Sequence, residues 1–225
     1  MKTSYLDYCF STIVLTIAGL IGYLGGLASS SLAVFLGWGD FRVLAAVLCA
    51  LLFFGISCVI MSRLILFFYP LADGEYSMDS IQFFIWKLYS VLYYFGCGAL
   101  KPFNVMFVRP FVQYLFGARI GKNVALGGTL VDPHLIEIGD EAIIGENSVI
   151  AAHAINSGYI RFGRIVIDSQ ATVGVNATVM PGVSIGRGAV LLAGAVATPG
   201  TVIPDGEMWG GVPAKRIKSV MMLHN

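Results

Sequence analysis

Charge is scarce in this chain. Lys, Arg, Asp and Glu make up 12% of its 225 residues against 57% hydrophobic, and from Tyr8 to Ala72 only Asp40, Arg42 and Arg63 are charged. Such a composition excludes an ordinary water-soluble domain for the first third of the chain. Cysteine is also sparse: Cys9, Cys49, Cys58 and Cys97 form no CxxC pair, so neither a disulfide framework nor a cysteine zinc site is expected. The formal net charge of +1 gives no basic footprint, which argues against a nucleic-acid partner.

Two apolar runs remain, 8–38 and 43–72. Each exceeds the roughly 20 helical residues needed to cross a hydrocarbon core of about 30 Å. A cleaved signal peptide is the alternative for the first, but that run is longer than a signal's apolar core and lacks a compact cleavage pattern. Residues 1–75 are therefore expected to form a two-helix transmembrane anchor. Lys87, Lys101, Arg109, Arg119 and Lys122 follow it, and by the positive-inside rule the C-terminal half faces the cytoplasm of an inner or plasma membrane.

The segment 76–118 interleaves aromatic residues with cations and with Pro102 and Pro110. It reads as a collar of short helices at the membrane interface, in contact with lipid, that either packs the following domain or binds substrate. A third span is disfavoured by Lys87, Lys101 and Arg109.

A six-residue period begins at Ile120 and runs through Leu126, Asp132, Ile138, Ile144 and Ile150; after a break it resumes at Ile167, Val173, Val179, Ile185 and Leu191. Small residues recur at the fifth position, as Ala171, Ala177, Val183, Ala189 and Ala195, and Gly or Asn recurs where a corner would need positive φ. Three short strands per 18 residues make one triangular turn of a left-handed parallel β-helix, an all-β solenoid assigned to 119–205, with a closing segment at 206–225. Asp132, polar in an aliphatic frame, either bends its coil or reaches an acceptor; the bend is the simpler reading.

The period breaks directly after His153, in SVIAAHAINSGYIRFG. A loop assigned to 156–166, with Tyr159, Arg161 and Arg164, is expected to project there. An imidazole fixed beside it has the qualities of a general base, while a histidine that merely bonds a corner is the plainer alternative. His134 and His224 precede no such break and are assigned no role.

The hexad run, the break after His153 and the terminal IPDGEMWGGVPAKRIK resemble the hexapeptide-repeat acyltransferases over 117–218. GEYSMDSIQFFIWKLY, FVRPFVQYLFGARIGKNV and LIEIGDEAIIGENSVIAAH also resemble the membrane-embedded terminal domain of nonribosomal-peptide-synthetase-like proteins such as polylysine synthetase. The first resemblance implies a homotrimer with active sites between subunits, His153 as general base, and acetyl-CoA or another acyl-CoA as donor to a hydroxyl or amine of a membrane-associated acceptor. It places Ala193, Gly194 and Thr198 along the pantetheine arm and Lys215, Arg216 and Lys218 near the CoA phosphates. Those cations could equally form a solvated tail or rest on anionic lipid. The second resemblance implies amide formation from a carrier-protein thioester, and a non-catalytic trimeric scaffold is a third reading. Pro199 stands where many soluble members have Lys. A gamma-type carbonic anhydrase shares the solenoid, but the spacing of His134 and His153 does not reproduce its zinc ligands, so no metal is expected.

Overall fold

The computed structural model describes residues 4–219, which form two compact units. His224 lies outside the described residues. Of the described residues, the first unit comprises 4–71 and 79–105, and the second 72–78 and 106–219.

Three helices build the first unit: α1 (Tyr5–Phe35), α2 (Phe41–Phe68) and α3 (Ile81–Leu100). Each is long and apolar enough to cross a membrane. A capping box starts α1: Ser4 Oγ accepts the Leu6 N–H at 3.3 Å and Asp7 Oδ2 accepts the Ser4 N–H at 2.7 Å. Ala18, Gly22, Gly26 and Ala33 form the buried seam of α1. A Cβ on Gly22 would lie 2.8 Å from the Ala50 carbonyl oxygen, and one on Gly26 would lie 2.9 Å from that of Ala46, so small residues are what let α1 and α2 approach. Leu92 of α3 packs with Ala18 and Cys58.

The collar differs from the expected run of short helices. Residues 81–100 form one helix, begun by Ser80 Oγ accepting the Phe83 N–H at 3.2 Å and followed by a 3₁₀ turn, Lys101–Phe103. Lys87 does not interrupt it, because its ammonium pairs with Asp7 inside the unit, where the two side chains are 14% and 10% exposed. Helix α4 (Arg109–Leu115) belongs instead to the second unit. There Arg109 donates to the Gly127 carbonyl at 3.0 Å, while Val112 and Phe116 are buried.

The second unit is a parallel β-solenoid of about five turns with three faces. On the first face Ile120, Ile138, Ile167, Ile185 and Ile203 stack in register. On the second stand Leu126, Ile144, Val173, Leu191 and Trp209. On the third stand Leu130, Ile150, Val179 and Ala197. These columns, with Ala171, Ala177, Val183, Ala189 and Ala195, fill the prism. The fifth turn continues through the strand Glu207–Gly210 and is closed by the antiparallel strand Lys215–Ser219, so the solenoid runs past the expected end at 205.

Two details of the expected frame change. Corners do use positive φ, at Asn123, Glu141 and Asn147 and then every six residues from Gln170 to Gly206, with φ between 56° and 76°. The glycines at the second frame position serve a different need, close approach: a Cβ on Gly174 would sit 2.4 Å from the Ala193 nitrogen of the next coil. The other change is that Leu130, not Asp132, fills the third face of the first coil. Gly127 and Gly128 make a short corner, and the 3₁₀ turn Pro133–Leu135 takes up the difference before Ile138.

Candidate active site

The displaced frame puts Asp132 on an edge of the prism rather than in its wall. Val131 pairs with Ala151, and the Ala152 N–H reaches the Val131 carbonyl at 3.2 Å, so the residues that follow on the two coils meet at the corner between the third and first faces. There Asp132 adopts φ 60° and ψ 60°, and its Oδ2 is bonded to Nδ1 of His153. The Asp132 side chain is 3% exposed and that of His153 18%. A carboxylate accepting from Nδ1–H fixes the ring's orientation and tautomer and leaves Nε2 as the basic nitrogen. The sequence reading missed this role for Asp132. Its signal was the aliphatic Leu130, two residues before the polar member of the frame.

The expected loop is a β-hairpin. Strands His153–Asn156 and Tyr159–Phe162 pair antiparallel around a two-residue turn in which Ser157 and Gly158 have φ of 43° and 91°. Positive φ at both central residues matches the right-handed twist of the flanking strands. A third strand, Gly74–Ser77, lies along Tyr159–Phe162. Ile160 and Phe162 are buried, whereas Tyr159 and Arg161 are exposed on the opposite side. Arg164 is not part of the projection: its guanidinium holds Glu137 on the first face, which Arg119 also contacts at 2.8 Å.

The remaining candidates are spread over two edges and the final strand. Ala193 and Gly194 are exposed at the corner between the second and third faces, with Gly194 at φ 67°. Thr198 is exposed on the edge that carries His153, two coils further on, with its Oγ1 3.2 Å from that of Thr201. Within one subunit, therefore, His153 and the Ala193–Gly194 turn lie on different edges. Lys215, Arg216 and Lys218 are exposed on the closing strand, but Arg216 is engaged: its Nε is 2.7 Å from Glu207 Oε1 and it also donates to Ser219 at 3.1 Å. Among the described residues no three or more His, Cys, Asp or Glu side chains gather as a metal-binding group.

Glu207 sits below the usual carboxylate range, first because the Trp209 indole N–H donates to it at 2.9 Å and further because of Arg216, which together outweigh desolvation. A depressed pKa contributes stability above the unfolded value and loses it as pH falls through the folded one. Glu207→Gln is accordingly expected to lower the midpoint of thermal unfolding at pH 7. Its deficit against the wild type should shrink from the ordinary carboxylate range, about 4.3, downward. Melting curves between neutral and acidic pH measure this, and a pH-independent deficit would assign the effect to packing alone.

Residues 164–199 match the family described as the hexapeptide repeat of succinyl-transferase. A Bacillus subtilis (strain 168) protein named as an acetyltransferase, YvoF, is 33% identical over 48% of this chain and 62% of its own length. The delta-poly-L-ornithine synthetase of Acinetobacter baumannii is 28% identical over 45% of this chain and 8% of its own. Mitochondrial gamma carbonic anhydrase 2 of Arabidopsis thaliana is 33% identical over 35% of this chain and 26% of its own. The solved structure of the Vibrio cholerae hexapeptide-repeat acetyltransferase VCA0836 with acetyl coenzyme A aligns at 25% identity and a TM-score of 0.44, over 47% of this chain and 62% of that one. This chain thus spans less than two thirds of each of these proteins. The resemblance to hexapeptide-repeat acyltransferases holds, and the synthetase likeness has a counterpart in the polyornithine enzyme.

Proposed function

We propose that this chain is a membrane-anchored acyltransferase that moves an acyl group, acetyl in the simplest case, from acyl-CoA to a hydroxyl or amine of a membrane-associated acceptor. The observation that carries the reading is the His153–Asp132 pair on the prism edge at the base of a hairpin. In the reaction the acceptor's O–H or N–H gives its proton to His153 Nε2 as the oxygen or nitrogen attacks the thioester carbonyl. Backbone N–H groups hold the tetrahedral oxyanion. Collapse breaks the C–S bond, and the imidazolium returns the proton to the departing CoA thiolate. Asp132 stabilises the transient imidazolium.

The donor would run along the last coils past Ala193 and Gly194, with Thr198 near the thioester end and Lys215 and Lys218 at the phosphates. Because the Ala193–Gly194 edge is not the His153 edge, a neighbouring subunit that presents its own edge to His153 would complete the site. This favours the homotrimer the resemblance implies.

In this reading α1 and α2 are the two spans of the anchor and the segment around α3 is the collar at the interface, although α3 is also long and apolar enough to cross. The exposed Met106, Phe107, Phe111 and Tyr114 of the solenoid unit suit a position at the interface. The cations after α2 support a cytoplasmic position for that unit.

Calorimetry of acetyl-CoA with the detergent-purified protein tests the donor. Saturable binding is expected, weakened in a Lys215→Ala/Lys218→Ala double variant by roughly 0.5–2 kcal/mol for two partly exposed charge contacts. No binding of acetyl-CoA, together with acyl transfer from a pantetheinylated carrier protein, would establish the carrier-thioester reading instead.

A further inference from the structure

We propose that the strand Gly74–Ser77, contributed by the connection between α2 and α3, is a positioning element of the active site, and that Tyr76 acts through Phe162 to hold His153 against Asp132. This rests on the proposed role of His153, but it makes a claim about side-chain order that stands apart from activity.

A two-stranded hairpin alone in water is marginal, and a third strand with an apolar face is what gives such a unit stability. Gly74–Ser77 supplies one, pairing over its whole length: Gly74 with Phe162, Glu75 with Arg161, Tyr76 with Ile160 and Ser77 with Tyr159. It also clamps the hairpin at both ends. At the base, Asp73 Oδ1 accepts the Arg164 N–H at 2.9 Å; at the tip, the Met78 N–H reaches the Gly158 carbonyl at 3.0 Å.

The three strands present one row of side chains on the face that includes His153. Directly paired residues of antiparallel strands point to the same face, so His153 and Phe162 are lateral neighbours. The next position across is Gly74, which has no side chain, and the Tyr76 ring folds into that gap: a Cβ on Gly74 would lie 3.3 Å from the Tyr76 hydroxyl oxygen. The rings of Tyr76 and Phe162 are 5.9 Å apart, and Phe162 is 2% exposed. His153 is thus held by Asp132 through Nδ1 and flanked by a ring that Tyr76 backs. The segment between α2 and α3 thus completes the sheet from which His153 projects.

The test uses the full-length protein in detergent, labelled with [15N]histidine. The chain has three histidines, so His153 is assigned by comparison with His153→Asn. The wild type is expected to show a single Nδ1-protonated tautomer with a slowly exchanging Nδ1 proton. Tyr76→Ala should give a mixture of tautomers and at least a ~10-fold faster exchange of that proton, and Tyr76→Phe should restore the wild-type signature because the ring, not the hydroxyl, makes the contact. With acetyl-CoA and hydroxylamine as a probe nucleophile, Tyr76→Ala should lower kcat by about 10- to 100-fold, since a displacement of about 1 Å has that effect, and leave the KM for acetyl-CoA unchanged.

If Tyr76→Ala fails to fold by circular dichroism, Gly74→Ala, which pushes on the ring at φ 150° without deleting it, and Asp73→Ala, which removes the acceptor of the base clamp, serve in its place. A wild-type tautomer and exchange rate in the folded variants would overturn the proposal. If the tautomer responds while His153→Asn retains full transfer, the positioning claim stands and the assignment of His153 as base falls.

Discussion

His153→Ala is expected to slow acyl transfer by about 10²- to 10⁴-fold, the usual contribution of a positioned general base, and to leave acetyl-CoA affinity unchanged. Both halves follow from where the residue lies. Its ring is bonded to a carboxylate that is 3% exposed, on the edge between the third and first faces; of the candidate donor contacts only Thr198 shares that edge, while Ala193 and Gly194 lie on another and Lys215 and Lys218 on the closing strand. Removing the imidazole also takes a donor from the buried Asp132, a loss of about 1–3 kcal/mol in stability. His153→Asn separates the two effects, because a side-chain amide can still donate to the carboxylate but cannot accept the acceptor's proton. The alanine and asparagine variants should therefore share the rate defect and differ in melting temperature. Single-turnover rates with acetyl-CoA, alongside calorimetry and thermal unfolding, measure all three quantities. An asparagine variant that transfers at the wild-type rate would leave His153 as a structural corner residue.

Much of this arrangement was legible in the residues because the solenoid repeats one local solution. The columns from Ile138 to Ile203 and from Ile144 to Trp209 need an aliphatic or aromatic side chain at every third short strand, and the small residues from Ala171 to Ala195 need tight corners. Both demands are written directly as a six-residue period. What the period cannot reveal is a slip that compensates itself. Between Leu126 and Ile138 the count of twelve is preserved, but the glycine corner and the 3₁₀ turn divide it unevenly, and the residue that seemed to spoil the frame is the one that holds His153. Nor does local pattern announce the strand at Gly74–Ser77, four residues whose partner lies more than 80 positions away. Its only trace was a short polar interval inside the apolar half. Helix α3 was obscured for a related reason: Lys87 looks like an interruption until Asp7, from the far end of the unit's sequence, is found beside it.

Asp132→Asn is the sharper of the two substitutions at the pair. Asparagine tolerates the left-handed conformation that Asp132 adopts, φ 60° and ψ 60°, whereas alanine there would add roughly 1–2 kcal/mol of backbone strain and confuse the result. The volume hardly changes, so coil and corner should persist and the melting temperature should move little. The chemistry changes sharply. An amide facing Nδ1 can donate its own N–H, which favours the imidazole tautomer with the proton on Nε2, the wrong nitrogen for a base, and it offers no charge to an imidazolium. Transfer is expected to fall by about 10²-fold or more, with acetyl-CoA binding unaltered. Because the two residues act as one unit, the double variant Asp132→Asn/His153→Ala should be no slower than His153→Ala alone, in contrast to the product expected of independent groups. Multiplying defects in that cycle would mean that Asp132 works through something other than His153. A wild-type rate in the single Asn variant would show that His153 finds its tautomer without the carboxylate, and the buried aspartate would then serve the corner alone.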